Sequence, residues 1–417
     1  MQLQGVAFTT TMLRMGILGV AFCANVLISR QLNPSGRGEY QLALTIALLT
    51  ATVVALSGEQ GATELYAQDP GHRTQVVATA LYLAPVLGLA VGVVAAVVTA
   101  MGAFGLSGDL WWVVGMIACV TVFQVWGQRL LLMDNKPVAA GVIGLLEASV
   151  FLAGSLILVG LNGMTVSAAL AAYAGGLFVS SAVTVVIFRP SPQAARLQLA
   201  GRILQASARY HPGQILLYLL MRCDVLLLGS LASSSEVGSY AVAIAITGPL
   251  MVAGNTITTT FLQRQLTSDV GVGAQETVGL VRLTAVVIAP CSLAAAISAP
   301  FVIPLIWGQQ FSGAILPTLA LLPGVFFLAV QRPFGYFFVS GGRADITNQR
   351  AAVGAVTNVT FSIALVPTYG ATGAGVAASV AYLVYSAESV RAFCRLSMVS
   401  TREVARSFIG VGGRVLR

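Results

Sequence analysis

Long apolar stretches, separated by short polar or glycine-rich segments, run through nearly the whole chain. An α-helix needs about 20 consecutive, mostly apolar residues to cross the hydrocarbon core of a bilayer. The pattern therefore predicts twelve membrane-spanning helices. Because Pro290, Pro300 and Pro304 fall in the ninth, that helix is expected to be kinked or split. The twelve expected ranges are 5–29, 40–63, 75–99, 111–131, 138–160, 165–188, 207–231, 238–260, 280–305, 313–340, 345–366 and 370–393.

The longest internal polar segment, with three arginines and two prolines, lies midway along the chain and reads as a linker between two six-helix lobes. The lobes also show an internal sequence repeat, since Gly38 and Tyr40 match Gly238 and Tyr240 at a constant offset. An even number of helices per lobe makes this a parallel repeat, related by a pseudo-two-fold axis along the membrane normal. The expected divisions are an N-terminal lobe at 1–188, a cytoplasmic linker at 189–206, a C-terminal lobe at 207–393 and a basic cytoplasmic tail at 394–417.

Composition supports the membrane interpretation, since 57% of the residues are hydrophobic and only 9% are charged. Soluble domains carry roughly 25% charged residues. Of the 22 basic residues, 17 fall on one predicted side of the membrane and two, Arg30 and Arg37, on the other. The excess of Lys and Arg marks the cytoplasmic side, so both termini are expected there. The net charge of +8 is therefore a topology signal and does not indicate nucleic acid.

Three arginines fall inside predicted spans: Arg14, Arg222 and Arg332. A charge at the bilayer centre costs about 2.5–3.5 kcal/mol on insertion scales, so such residues usually face a polar cavity. We hypothesise that the three arginines line a central cavity as a path for an anionic cargo. The alternative is structural, with Arg14 and Arg332 reaching the interface and Arg222 pairing with Asp224 or, more easily, with a group on another helix, because residues two apart point to different helix faces.

The repeat adds two glutamines to the candidate substrate-binding residues. At an offset of 207, Gln124 in the first lobe aligns with Gln331 in the second. Gln331 directly precedes Arg332, and both glutamines lie within predicted spans.

The sequence disfavours a metal site, a phosphate-binding loop and an enzymatic site. None of the five cysteines forms a CxxC pair, and the two histidines, His72 and His211, are far apart, so no metal site or cofactor is expected. The sequence GLAVG at 88–92 is typical of close helix packing and follows no strand, so it is not a phosphate loop. No P-loop, nucleophile elbow or paired-carboxylate site stands out, and we expect no enzymatic activity.

Several motifs, in order along the chain, are similar to those of one transporter family. They are LISRQLNPSGRGEYQLAL, MRCDVLLLGSLASSSEVGSY, IWGQQFSGAILPTLALLPG, VSGGRAD and LVPTYGATGAGVAASVAY. The chain resembles the Wzx-type polysaccharide flippases of the multidrug/oligosaccharidyl-lipid/polysaccharide (MOP) exporter superfamily over about 5–393. The resemblance implies an all-α fold of two six-helix lobes in the bacterial inner (cytoplasmic) membrane.

The same resemblance implies a cargo and partners. The cargo would be an undecaprenyl-pyrophosphate-linked oligosaccharide, flipped by alternating access for surface polysaccharide synthesis, with membrane lipids and a polysaccharide polymerase as partners. The second hypothesis is a cation-coupled multidrug exporter of the same superfamily, whose cavity should be acidic. The third is a membrane protein that assembles with a polymerase and transports nothing.

A coupling-ion site is implied by similarity to lipid II flippases, which carry a carboxylate on the seventh helix and polar residues on the eleventh. Here these positions hold Asp224, Asn358 and Ser362. Asn358 and Ser362 are four residues apart and share one helix face. Their oxygens suit Na⁺ or a protonatable site, although serine replaces the second carboxylate of that pattern. Na⁺ or H⁺ is therefore a candidate coupling ion, and the alternative is that the membrane potential alone drives export.

Overall fold

A computed structural model describes residues 2–68, 70–267, 270–340 and 343–408, and within these ranges it contains helices and no strand. Five short 3₁₀ turns, at Pro70–His72, Ala103–Gly105, Gly108–Leu110, Pro192–Ala194 and Gln309–Ala314, connect the α-helices. The α-helices are α1 Gln2–Val54, α2 Gly58–Gln68, α3 Arg73–Ala100, α4 Trp111–Met133, α5 Pro137–Gly160, α6 Val166–Phe188, α7 Leu197–Ser207, α8 His211–Leu231, α9 Ser234–Thr267, α10 Val270–Ile306, α11 Ile315–Val330, α12 Arg332–Ser340, α13 Ala344–Ser397 and α14 Thr401–Phe408.

Ten helical segments of the described residues are long and apolar enough to cross a membrane. Two of them, Thr9–Val54 and Asp345–Ser397, are 46 and 53 residues long, which is far more than one crossing needs. Each contains one break with non-helical backbone, at Asn33 in α1 and at Gly370 in α13. Divided at these breaks, the two long segments supply four crossings, and the twelve predicted helices all have counterparts. The predicted all-helical membrane fold is confirmed.

The loop expected between the first two helices is replaced by a single break. Asn33 accepts a hydrogen bond from the Gly36 backbone N–H at 3.2 Å through its side-chain oxygen, as an N-cap does. Pro34 follows in the first helical position, which tolerates the missing N–H. The helix therefore resumes directly after Asn33, and the predicted start at residue 40 is wrong. Arg37, expected in an outer loop, belongs to this helix.

The predicted second helix, 40–63, also ends too late. α1 stops at Val54, and Leu56 and Ser57 adopt positive φ angles before α2 starts at Gly58. The change of direction brings α2 against the side chain of Trp126 on α4 and the backbone of α7. A Cβ at Gly58 would overlap the Trp126 ring, so only glycine permits this approach.

Two helices in the second half of the chain differ from the predicted pattern of breaks. α10 runs unbroken from Val270 to Ile306 through all three prolines, so the predicted split is absent. Proline is tolerated in membrane helices because neighbouring groups can satisfy the freed carbonyls. The predicted tenth helix, 313–340, instead divides at Gln331, where α11 ends and α12 begins.

The chain divides into two compact units, Met1–Ile215 and Leu216–Arg417. In the first unit, α3 and α4 cross closely: a Cβ at Gly88 would lie 2.6 Å from the Cys119 carbonyl oxygen, and one at Gly92 would lie 2.8 Å from that of Gly115. The expected packing role of GLAVG is confirmed. In the second unit, Gly324 of α11 approaches Ser379 of α13 as closely. Backbone contact between small residues is the usual source of helix association in membranes.

The first part of the predicted tail is helical and packed. α13 continues to Ser397, and α14 buries Val404 in an aromatic cluster of the second unit that contains Phe334, Phe338 and Phe393. The Phe408 ring lies 6.4 Å from that of Phe334. Residues 409–417 of the predicted tail lie outside the described residues.

The break in α13 depends on a carboxylate from another helix. Gly370 has φ 54° and ψ −132°, a conformation that residues with a side chain rarely adopt. The helix that restarts after it donates its Ala371 N–H to the Glu236 carboxylate of α9, at 2.7 Å. A Cβ at Gly370 would lie 2.5 Å from the same Glu236 oxygen.

We expect Gly370→Ala to lower the free energy of unfolding by about 1–3 kcal/mol, because it adds positive-φ strain and pushes Glu236 off the helix end. Gly201→Ala, in α7 where the added carbon meets nothing within 4 Å, should be neutral or slightly stabilising. Thermal unfolding of the two purified variants in detergent measures the difference. Equal midpoints for both would contradict this account of the break.

Candidate functional site

Two predicted substrate-binding arginines lie in the second unit. Arg222 is half-buried on α8, and Arg332 is half-buried at the first position of α12. The Nε atom of Arg332 is fully buried and lacks a hydrogen-bond partner among the described residues. Within those residues, neither guanidinium forms an ion pair, so Arg222 is paired neither with Asp224 nor with a carboxylate of another helix. Both guanidinium groups retain hydrogen-bonding capacity for a ligand.

Asp224, in contrast, has partners for both carboxylate oxygens. It is 1% exposed, accepts a hydrogen bond from the Tyr240 hydroxyl of α9, and accepts another from the Val225 backbone N–H at 2.8 Å. Arg222 and Asp224 are two residues apart and point to different faces of α8. The carboxylate faces α9, which explains why the nearby arginine does not neutralise it.

Asn358 and Ser362 meet on α13, as their spacing predicts. The Ser362 hydroxyl donates to the Asn358 side-chain oxygen at 3.2 Å, and the Asn358 amide donates to the Leu220 carbonyl of α8 at 2.8 Å. Both side chains are fully buried. The contact point on α8 is one turn before Asp224, so the three predicted ion-coupling residues belong to one buried polar region between α8, α9 and α13.

Gln331 occupies a polar network. Its side-chain oxygen accepts a hydrogen bond from the Ser389 hydroxyl at 3.2 Å, and Ser389 in turn accepts one from Arg350. Arg350, expected beside the inner membrane surface, is 3% exposed and packs over the Phe338 ring at 4.3 Å. Gln331 is itself 3% exposed, and its contact with Ser389 connects the α11–α12 junction to α13.

The first unit contains the other two predicted substrate-binding residues. The Gln124 amide of α4 donates to the Glu147 carboxylate of α5 at 2.9 Å. Arg14 lies on an exposed face of α1 beside Met12 and Met15, while Leu13 packs on α5 at Gly141. Arg14 makes no ion pair within the described part of the chain. The structure does not bring Arg14 and Gln124 into contact with each other.

Arg37 is a buried cation that the sequence analysis assigned to a loop. It is 3% exposed, donates from Nη2 to the Asn25 side-chain oxygen at 3.0 Å and packs over the Tyr40 ring at 5.0 Å. Its Nε and Nη1 atoms are buried and lack partners among the described residues. The Asn33-Pro34 pair, read as an N-cap and first helical residue, was the signal that could have placed Arg37 in a helix.

The buried charges differ in how completely the described residues satisfy them: all three nitrogens of the Arg350 guanidinium have partners, whereas those of other buried cations do not. The embedded carboxylates Asp224 and Glu147 have hydrogen-bond donors from Tyr240 and Gln124. The embedded guanidinium groups of Arg37 and Arg332 keep unpartnered N–H groups within the described residues. A leftover buried donor costs about 1–3 kcal/mol and more when it is charged, so the arrangement favours an anionic ligand over a cationic one.

Comparisons with known structures identify the fold. No protein-family model and no curated protein matches the sequence. A structure described as lipid II flippase MurJ in an inward closed conformation is similar over 96% of this chain and 90% of its own, with a TM-score of 0.77 and 10% identity. The chain has the MOP transporter fold. Two MATE transporters of that superfamily support the assignment.

The first of these, the MATE multidrug transporter DinF-BH with a bound compound, has a TM-score of 0.71 at 13% identity and covers 95% of this chain and 96% of its own. The second, a multidrug resistance MATE family transporter in an inward-facing conformation, has a TM-score of 0.68 at 17% identity and covers 94% and 99%. The MOP fold therefore includes both a lipid flippase and multidrug transporters. Sequence identities this low support the assignment of the fold but not of a function.

We expect Tyr240→Phe to lower the free energy of unfolding by about 1–3 kcal/mol, because it removes a donor from a buried carboxylate. Asp224→Asn should also destabilise, but the double variant should lose less than the sum of the two, giving a coupling energy of about 1 kcal/mol or more. Equilibrium unfolding in mixed micelles measures the cycle. Tyr40→Phe, whose hydroxyl has no carboxylate partner among the described residues, is the matched control. Strict additivity would rule out the Asp224–Tyr240 interaction.

Proposed function

We propose that the chain is a transporter that moves an undecaprenyl-pyrophosphate-linked oligosaccharide from the inner to the outer leaflet of the bacterial cytoplasmic membrane, by alternating access. The observation that carries the proposal is that Arg14, Arg222 and Arg332 lie in helices long and apolar enough to cross a membrane and form no ion pair within the described residues, on a MOP fold. A lipid II flippase shares this fold, and so a lipid-linked cargo is compatible with it.

The chemistry of a pyrophosphate fits these arginines. Arg332 has a buried Nε without a partner, and Arg222 makes no ion pair within the described residues, so both can donate to phosphate oxygens. Guanidinium is more weakly hydrated than ammonium and presents a planar set of donors, which suits a desolvated phosphate. Arg14 is exposed on α1 and would contact the headgroup at a different stage of transfer from Arg222 and Arg332.

The membrane potential adds a driving force in the proposed direction. Moving one negative charge out of a cell with a negative interior releases about 2.3 kcal/mol per 100 mV. A pyrophosphate could therefore be exported without a separate energy source, provided that the protein supplies a polar route. The polyprenyl tail can stay in lipid throughout.

A multidrug exporter of the same superfamily is the second candidate. It is supported by the likeness to two MATE transporters and by the buried Asp224, which could take part in cation coupling. Cationic drugs require an acidic site, however, whereas Arg14, Arg222 and Arg332 form no ion pair within the described residues. These arginines therefore favour the anionic cargo.

We expect Arg222→Gln and Arg332→Gln each to slow flipping at least 10-fold, and Arg14→Gln to slow it by a smaller factor, because each removes a phosphate donor. The assay follows a fluorescent undecaprenyl-pyrophosphate oligosaccharide in proteoliposomes, with a membrane-impermeant quencher outside. Arg202→Gln, on the exposed face of α7, is the matched control.

Wild-type rates in all three variants, at equal reconstitution, would remove the arginines from the transport path. Export of a cationic dye by the same proteoliposomes, with no flipping of the pyrophosphate lipid, would support the multidrug exporter instead.

We further propose that Asp224, Asn358 and Ser362 couple transport to Na⁺ or H⁺. One of these cations, imposed as a gradient, should accelerate flipping several-fold, and Asp224→Asn should abolish the acceleration because the charged ligand is lost. Replacement of Na⁺ by N-methylglucamine, and separately a pH jump at constant potential, distinguishes the two ions. A rate that responds to neither would leave the membrane potential alone as the driving force.

A further inference from the structure

A basic cleft lies at the end of the second unit where the two halves of α13 come together. The Arg350 Nη1 of the first half donates to the Ser389 hydroxyl of the second, which fixes the two halves side by side. The cleft has a volume of about 280 Å³ and is lined by four arginines and one carboxylate. These lining residues are Arg343, Arg350, Arg391, Arg395 and Glu388.

Only part of this positive charge is neutralised within the described residues. Arg343 donates to Asp345 at 3.0 and 3.1 Å, and Arg391 donates to Glu388 at 2.9 Å. Arg350 is buried and hydrogen-bonded to uncharged groups, and Arg395 is exposed without an ion pair to any described carboxylate. The cleft therefore keeps an excess of positive charge and should attract an anion.

An apolar groove of about 760 Å³ continues from the same place. Arg391 and Arg395 line both the basic cleft and this groove, so the two spaces share a boundary. The groove runs beneath α14, and its apolar lining includes Phe327, Leu383, Val390, Val404 and Phe408.

Exposed apolar side chains at the same end of α13 indicate contact with the bilayer. Leu396 is 38% exposed and Met398 is 90% exposed, on either side of the last α13 residue, Ser397. Large apolar side chains with this exposure are typical of a surface covered by lipid. The shared arginines therefore lie between the basic cleft and exposed apolar side chains.

We infer that the cleft and groove together form a binding site for an anionic phospholipid of the surrounding bilayer. Its phosphate would be bound by Arg391 and Arg395, and one acyl chain would lie in the groove beneath α14. The charge of the cleft complements the phosphate, and the apolar lining complements the chain. Basic pockets between membrane helices are known to bind such headgroups. This inference does not depend on the cargo proposed above.

The test uses native mass spectrometry of the purified, delipidated full chain, titrated with phosphatidylglycerol and with neutral phosphatidylcholine. We expect the wild-type chain to prefer phosphatidylglycerol at least 10-fold. Each basic residue near a phosphate contributes about fivefold in affinity, so the double variant Arg391→Gln/Arg395→Gln should lose most of this preference. Arg402→Gln/Arg406→Gln removes two exposed arginines of α14 that line neither space and should keep it.

A second variant tests the groove separately. Ala387→Trp, at an exposed position that lines the groove, should weaken binding of both phospholipids, while glycerol phosphate should bind the wild type far more weakly than either lipid. Equal phosphatidylglycerol binding by the wild type and the Arg391/Arg395 double variant would overturn the proposal. Binding of glycerol phosphate as tightly as phosphatidylglycerol would also overturn it. A 10-fold preference for undecaprenyl phosphate over phosphatidylglycerol would overturn it as well, because it would assign the groove to the tail of the cargo.

Discussion

A charged group inside a bilayer must be matched by a donor or acceptor of the protein, by water or by a ligand, and the structure of this chain is organised around how that requirement is met. The buried carboxylates are satisfied internally: Asp224 by Tyr240 and Glu147 by Gln124. The guanidinium groups of Arg37 and Arg332 are only partly satisfied among the described residues. Among these four charged groups, the unpartnered N–H groups within the described residues all belong to cations.

The backbone breaks lie beside these groups. The break at Asn33 is followed within one turn by Arg37, and the division between α11 and α12 directly precedes Arg332. An interrupted helix in a membrane has free backbone groups that need partners, so interruptions are tolerated where other polar groups are present. The break at Gly370 also has a polar group beside it, because the Glu236 carboxylate accepts a hydrogen bond from the Ala371 N–H. No arginine takes part in that contact.

The fold could be predicted from the sequence because apolar segments long enough to cross a membrane are a strong signal. All twelve predicted helices have counterparts in the structure. The sequence could not give the ends of helices that are set by tertiary contacts, such as the stop at Val54, which depends on Gly58 meeting Trp126. Within the candidate site, the contact of Asn358 with Ser362 followed from spacing, whereas the pairing of Asp224 with Tyr240 required knowledge of which helices are neighbours. Arg37 was missed because a charge near a predicted boundary cannot be assigned to a helix from hydropathy alone.

The network of Gln331, Ser389 and Arg350 has a consequence for the neighbouring cation. Gln331 is peptide-bonded to Arg332, so the contacts of the glutamine constrain the backbone from which the Arg332 side chain extends. Ser389 is fully buried and on a different helix, yet its single hydroxyl contacts Gln331, Arg350 and the Tyr385 carbonyl. A substitution at Ser389 could therefore act on Arg332 from another helix, by displacing that cation instead of replacing it.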